Sequence, residues 1–299
     1  MSSELQSKAS FEATVFGFLC RQFTKPKQLL ATTRLTDQVA IVTGSNVGLG
    51  FEACRQLLKL GLFHLIMGVR SQTTGDAAAQ ILRKEFPTST ISVWTVDLES
   101  YESIRAFADR CAVLRRLDIV ILNAGIMKSP FTIVPITKHE TMLQVNYLST
   151  ALLALLLLPI LKEKGGDTRP PVLTVVGSDR AYEVNIEKKG AVLHQLDRPE
   201  HFTQFEWYGK SKLLLTLFVS KLAELVDVDD VLVNMANPGM TKGTDFFRGV
   251  PAIFTPIISF GQFILARSAE VAASIYVDAV SARGEESHGS FLSDWTIKP

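Results

Sequence analysis

The hydrophobic pattern is irregular over the first 37 residues and orderly after them. From Gln38 onward, short runs rich in β-branched residues recur at 39–43, 63–69, 90–96, 118–122, 171–176 and 231–236. They are nearly continuous in apolar character, without the alternation of a strand that keeps one face in water. Longer stretches with apolar residues at helical spacing lie between and after them, at 49–60, 74–86, 100–114, 138–162 and 205–226. Strands buried on both sides and separated by helices predict a parallel sheet covered on both faces. The expected fold class is α/β, one doubly wound domain over residues 38–299 behind an N-terminal extension of residues 1–37. In the extension, Phe11, Val15, Phe18, Leu19 and Phe23 predict the apolar face of a short amphipathic helix packed on the domain body. A turn at Thr24-Lys25-Pro26-Lys27 follows it.

Composition narrows the function. Hydrophobic residues make up 47% of the 299, and charged residues 20%, which allows a large core and excludes disorder. Lys plus Arg number 31 against 30 Asp plus Glu, so no basic excess exists for a phosphate backbone and no nucleic-acid partner is expected. Cys20, Cys54 and Cys111 are few, odd in number and far apart, which fits a reducing, cytoplasmic setting. Three apolar stretches resemble membrane or targeting segments by composition. Residues 11–23 carry Glu12 and Arg21 and lack a basic flank or cleavage site. Residues 151–161 are too few to span a bilayer. Residues 249–266 are uncharged but contain Pro251, Pro256 and Gly261, and read as an apolar loop and short helix covering a pocket. No transmembrane segment is expected; weak association with a membrane surface stays open.

Candidate chemistry begins where the first strand runs into Thr43-Gly44-Ser45-Asn46-Val47-Gly48-Leu49-Gly50 and then a helix. A pyrophosphate needs backbone N–H donors, a helix N-terminus and no Cβ in the way. Gly44 permits the tight turn, Gly48 the close approach and Gly50 close helix–strand packing.

The TGxxxGxG spacing resembles the short-chain dehydrogenase/reductase family, and further motifs follow in the family's order. Asp97-Leu98 ends the third strand and Asn123-Ala124-Gly125 the fourth. Asn146 lies in the next helix, and Ser178 ends the fifth strand. Tyr208-Gly209-Lys210-Ser211-Lys212 opens a further helix, and Asn237-Pro238-Gly239-Met240-Thr241 follows the sixth strand. The resemblance covers residues 36–297 and implies a Rossmann-type domain. It assigns cofactor contacts to Gly44, Ser45, Asn46, Gly48, Leu49, Gly50, Asp97, Leu98, Asn123, Ala124, Gly125, Tyr208, Lys212, Pro238, Gly239 and Thr241. At the end of the second strand, where an NAD enzyme usually carries an acid, this chain has Arg70-Ser71. A planar cationic fork and a hydroxyl suit a 2′-phosphate, so the expected cofactor is NADP(H) in preference to NAD(H). Val47 stands where many NADP-dependent relatives place a second basic residue, so that preference rests mainly on Arg70.

Hydride transfer to a ketone leaves an alkoxide, which calls for a proton donor and stabilised negative charge. Tyr208 and Lys212, four apart on a helix, share one face. By resemblance Tyr208 is the acid in reduction and the base in oxidation. Lys212 lowers its pKa and holds the nicotinamide ribose, Ser178 bonds the substrate carbonyl, and Asn146 positions a relay water. The 30-residue interval from Ser178 to Tyr208 exceeds the family's usual one. The longer interval, with Trp207-Tyr208, is similar to the retinol-dehydrogenase-like branch and to reductases of fungal natural-product pathways. The added loop, about 183–205, is expected over the substrate entrance. Its His194 and His201 lack the partners of a zinc site, so no metal is expected. Asp245, Phe246, Phe247, Phe254, Ile257, Ile258, Phe260 and Phe263 predict a cover for a bulky apolar ketone or alcohol. The function expected is ketone–alcohol hydride transfer on such a metabolite; the alternative is a redox-neutral isomerase or cyclase using the same tyrosine and lysine for proton transfer.

Overall fold

The computed structural model describes residues 3–166, 169–187, 190–242 and 265–299. The apolar runs become strands β1 (Val39–Thr43), β2 (His64–Val69), β3 (Thr90–Thr95), β4 (Ile119–Leu122), β5 (Val172–Val176) and β6 (Leu232–Asn237). Two more follow, β7 (Phe291–Ser293) and β8 (Thr296–Lys298), and the eight-stranded sheet has the order β3-β2-β1-β4-β5-β6-β7-β8. Every pairing is parallel except β7 with β8. Side chains alternate between two cores. Ala40, Val42, Leu65 and Met67 face one, with Leu57, Leu82 and Tyr276; Val39, Ile41 and Ile66 face the other, with Phe107, Leu157 and Leu215. Burial on both faces is why these strands read as unbroken apolar runs.

The first face is covered by α3 (Gly48–Lys59), α4 (Gln72–Glu85) and, from the chain's far end, α9 (Ala269–Ser281). The second is covered by α5 (Tyr101–Ala112), α6 (Thr150–Lys164) and α8 (Gln204–Ala223), with the single short turn α7 (Val192–Leu196) beside α8. The strand order reverses between β1 and β4, which opens a crevice at their carboxyl ends.

The expected helix over 138–162 is divided. A π-helical stretch, Leu143–Ser149, runs into α6, and Thr150 Oγ1 bonds back to the Val145 carbonyl at 2.9 Å. Leu143–Lys164 is long and apolar enough to cross a membrane by length and composition. Leu143, Leu153, Leu157 and Leu161 are nevertheless buried in the body, as in a core helix.

The extension forms two helices, α1 (Ser3–Glu12) and α2 (Val15–Phe23), hinged at Thr14, which caps α2 by accepting the Gly17 amide at 3.0 Å. The expected packing face is reversed. Phe11, Val15 and Phe23 are exposed, whereas Glu12, Gly17, Arg21 and Gln22 are buried. Helix α2 docks on polar loops at the carboxyl end of the sheet, where these side chains find charged and main-chain partners. The segment 243–264, with its expected apolar substrate cover, lies outside the described residues.

Candidate active site

A cleft of about 1460 Å³ runs across the carboxyl ends of the central strands. At one end lies the glycine turn. Gly44 and Gly48 have φ of +64° and +59°, the left-handed region that glycine enters without strain. A Cβ on Gly50 would lie 2.4 Å from the Gly44 carbonyl oxygen and 2.5 Å from Asn123 Nδ2, so this glycine closes the packing of α3 on the turn. A Cβ on Gly48 would meet nothing within 4 Å and would project into open space. No side chain caps α3 among the described residues, so its first N–H groups stay available. An open approach over an uncapped helix N-terminus fits a pyrophosphate.

The turn is braced from β4. Asn123 Nδ2 donates to the carbonyls of Thr43 and Gly44 at 2.9 and 3.1 Å, and the Ala124 amide donates to Thr43 Oγ1 at 3.1 Å. Gly44, Asn46, Gly48, Leu49, Gly50, Asn123, Ala124 and Gly125 line the cleft as expected. Ser45 does not: it is fully buried against the Cys54 thiol, so its hydroxyl points under the turn. Arg70, Ser71, Asp97 and Leu98 line the next stretch. Arg70 is largely exposed and 3.9 Å from Glu99, an acid the sequence reading passed over. Such an exposed pair binds weakly, which leaves the guanidinium available to a phosphate.

Gly50→Ala should therefore disturb both turn and fold. Overpacking against backbone costs about 1–3 kcal/mol, so the melting temperature should fall by several degrees and dinucleotide affinity at least tenfold. Thermal unfolding and fluorescence titration check this.

At the other end, Ser178, Tyr208 and Lys212 converge with Pro238, Gly239 and Thr241. Lys212 Nζ donates to the Val176 carbonyl at 2.8 Å and sits 5.9 Å from the Tyr208 ring centre. Burial lowers the Lys212 ammonium to about 8. Burial also pushes the Tyr208 phenol above its ordinary value, against a smaller lowering by its hydrogen bond with Ser178. In the cofactor-free protein desolvation is the larger influence on the phenol, and the Lys212 ammonium is turned to Val176.

Asn146 lies behind the cleft. Its Oδ1 accepts the Ile126 amide at 2.8 Å, and its Nδ2 donates to the Ile126 carbonyl at 2.8 Å and to Ser211 Oγ at 3.0 Å. That fully buried side-chain amide fixes residues after β4 against α8.

The loop expected over the entrance mostly packs elsewhere. Its ends, Glu183 and Phe205, line the cleft. Between them Leu196 accepts the Trp207 indole N–H at 2.8 Å, Asp197 bonds His139 at 2.8 Å, and Phe202 packs edge-on against Phe131 and Trp207. The sequence reading missed a wall on the opposite side, formed by Glu12, Ala13, Thr14, Val15, Phe18 and Arg21 of the extension. Among them, polar residues within an apolar run were the available signal.

A family model described as short chain dehydrogenase matches residues 38–168. The short chain dehydrogenase virL of Hypocrea virens is 63% identical over all of this chain and 88% of its own length. The short chain dehydrogenase opdN of Penicillium oxalicum is 45% identical over the whole of both chains. Among solved structures, L-sorbose reductase from Gluconobacter frateurii, complexed with NADPH and L-sorbose, superposes with a TM-score of 0.67 at 22% identity. That match covers 87% of this chain and 97% of the reductase.

Proposed function

Because the chain belongs to the short-chain dehydrogenase/reductase family of oxidoreductases, we propose that it is an NADP(H)-dependent ketoreductase acting on a bulky apolar metabolite of a biosynthetic pathway. One observation carries this reading: Tyr208, hydrogen-bonded to Ser178 and one helical turn from Lys212, shares a cleft with an open glycine turn and Arg70. The glycine turn and the N-terminus of α3 would hold the pyrophosphate, Arg70 and Ser71 the 2′-phosphate, and residues 238–241 the nicotinamide end beside Lys212. Bound there, the reduced nicotinamide supplies the hydride.

The chain's own groups do the rest. Ser178 donates to the substrate carbonyl, polarises it and fixes it against Tyr208. Tyr208 donates its phenolic proton to the alkoxide oxygen as charge develops there. Lys212, in its ammonium form, stabilises the phenolate left behind and binds the nicotinamide ribose. Ile126, Met127, Phe205 and Tyr182, with Phe18 from the extension, give the cleft an apolar substrate side.

The test is to incubate the protein with NADPH and a panel of apolar ketones, following the absorbance of the reduced nicotinamide. Oxidation matched by product alcohol supports the reading. Altered product with no net cofactor consumption shows isomerase or cyclase chemistry instead.

Cofactor preference has its own expected result. A charge-assisted contact to phosphate contributes about 1.5–3 kcal/mol. Arg70→Asp should therefore weaken NADPH ten- to a hundredfold or more while leaving NADH nearly unchanged. Equal losses in fluorescence titrations of the two cofactors would show that Arg70 does not read the 2′-phosphate.

A further inference from the structure

The N-terminal hairpin is fastened to both loops between which the reaction takes place. Gln22, 5% exposed near the end of α2, faces Met240 in the segment after β6. Its Nε2 donates to the Met240 carbonyl at 2.7 Å, and its Oε1 accepts the Met240 amide at 3.0 Å. One primary amide thus satisfies both main-chain groups of one residue, as a neighbouring strand would. Gly239 makes room for it: its φ is +70°, and a Cβ there would lie 2.8 Å from Gln22 Oε1.

A second side chain ties the same two pieces together. Buried Arg267 donates from Nη1 to the Pro238 carbonyl at 3.2 Å, and from Nε and Nη2 to the carbonyls of Gln22 and Arg21. Those are carbonyls of the last turn of α2, where the Arg21 carbonyl otherwise accepts only the amide of its C-cap Thr24 at 3.2 Å. On the opposite side Arg21 pairs with Glu12 at 2.5 Å and with Asp179, the neighbour of Ser178, at 3.7 Å. Glu12 in turn meets Lys298 at 2.9 Å. Helix α2 therefore spans from the Ser178 loop to residues 238–241. Its polar side is buried because that is the side with work at the site.

We propose that Gln22 is a positioning residue for the nicotinamide half of the cofactor. Its amide sets the main-chain conformation of Met240, and through it the segment Pro238–Thr241 that receives the nicotinamide. This rests on residues 238–241 holding that end, as assigned above. Without the amide, the Met240 N–H loses its partner and its carbonyl keeps only the Arg267 amide at 2.9 Å, so a glycine-containing loop gains conformations that binding must then restrict. The cost falls on ligands that reach the loop and spares those that fill only the adenine end.

The experiment uses the full-length protein as wild type, Gln22→Met and Gln22→Glu, and compares the affinities of NADP⁺ and 2′,5′-ADP by calorimetry. The second ligand carries the adenine, ribose and 2′-phosphate but no nicotinamide. Gln22→Met should weaken NADP⁺ on the order of tenfold, as for two hydrogen bonds of modest net strength, and leave 2′,5′-ADP within twofold. Gln22→Glu should lose at least as much at pH 8, where a carboxylate faces the Met240 carbonyl. Relative to wild type it should recover towards pH 5, because a protonated carboxyl again offers one donor and one acceptor. A merely structural anchor weakens both ligands alike and shows no such recovery, and that result overturns the proposal. So does an unchanged NADP⁺ affinity in both variants. If wild type itself binds NADP⁺ no tighter than 2′,5′-ADP, the assignment of residues 238–241 is what fails, and the proposal falls with it.

Discussion

Tyr208→Phe should abolish carbonyl turnover while leaving the folded, cofactor-binding protein intact. The ring is buried against Trp207 and Met142 in a small apolar cluster, and phenylalanine preserves that packing. What disappears is the proton donor and its hydrogen bond with Ser178. General acid catalysis contributes about 10²–10⁴-fold, and turnover should fall by at least that order. The fall should appear in kcat, with NADPH affinity within a few-fold of wild type. If Tyr208 only packed the face of α8, the phenylalanine variant would keep its activity. Near-wild-type turnover by folded, NADPH-bound Tyr208→Phe would remove the catalytic assignment altogether.

Lys212→Met should cost turnover and cofactor affinity together, yet not destabilise the cofactor-free protein. Its ammonium is 3% exposed and lowered to about 8 by desolvation. Holding that charge in place costs about 3 kcal/mol at neutral pH. Removing it offsets the loss of the donor to the Val176 carbonyl, which costs about 1–3 kcal/mol. The melting temperature should stay level or rise while activity falls a hundredfold or more. The pH dependence follows from the same lowering. An unfolded lysine keeps its proton up to its ordinary value, whereas the folded one releases it near pH 8. Between about pH 8 and 10 the unfolded state therefore binds the extra proton, and this group's contribution raises stability as pH rises. Lys212→Met should flatten that increase in urea unfolding. For catalysis the sign is opposite: reduction needs the ammonium, so wild-type kcat should decline above pH 8. An unaltered stability profile in the variant would show that Lys212 is not held below its ordinary range.

The structure and the sequence pattern agree where the causes are local. The six apolar runs became β1 to β6 with ends displaced by no more than a residue, because burial on both faces writes itself into composition. The glycine turn was legible because a positive φ at Gly44 and a close approach at Gly50 exclude other residues. Tyr208 and Lys212 were legible because they follow the glycine turn in the motif order of the family the chain resembles, with a spacing of four that sets a common helix face. The C-terminal β7–β8 hairpin was not, since its turn uses Asp294 and Trp295 at positive φ, with no glycine or asparagine to announce it. Trp295 takes that conformation while buried, with the Arg267 guanidinium over its ring at 4.8 Å.

What the sequence determined by itself is the doubly wound sheet, the glycine-rich turn and the identity of the groups in the cleft. The first two follow from periodicity and backbone sterics within a short window, the third from the order of motifs along the chain. Tertiary structure decided how those groups behave. Burial, by residues distant in the chain, raises Tyr208 and lowers Lys212. The Asn146 amide is spent on Ile126 and Ser211, which are 20 and 65 residues away. The face of α2 that is buried was decided by Met240 and Arg267, whose bonds reach back across 218 and 246 residues, while Lys298 holds Glu12 at the end of α1 across 286. Apolar periodicity measures the average gain from leaving water, and it cannot register a polar face whose partners lie at the other end of the chain.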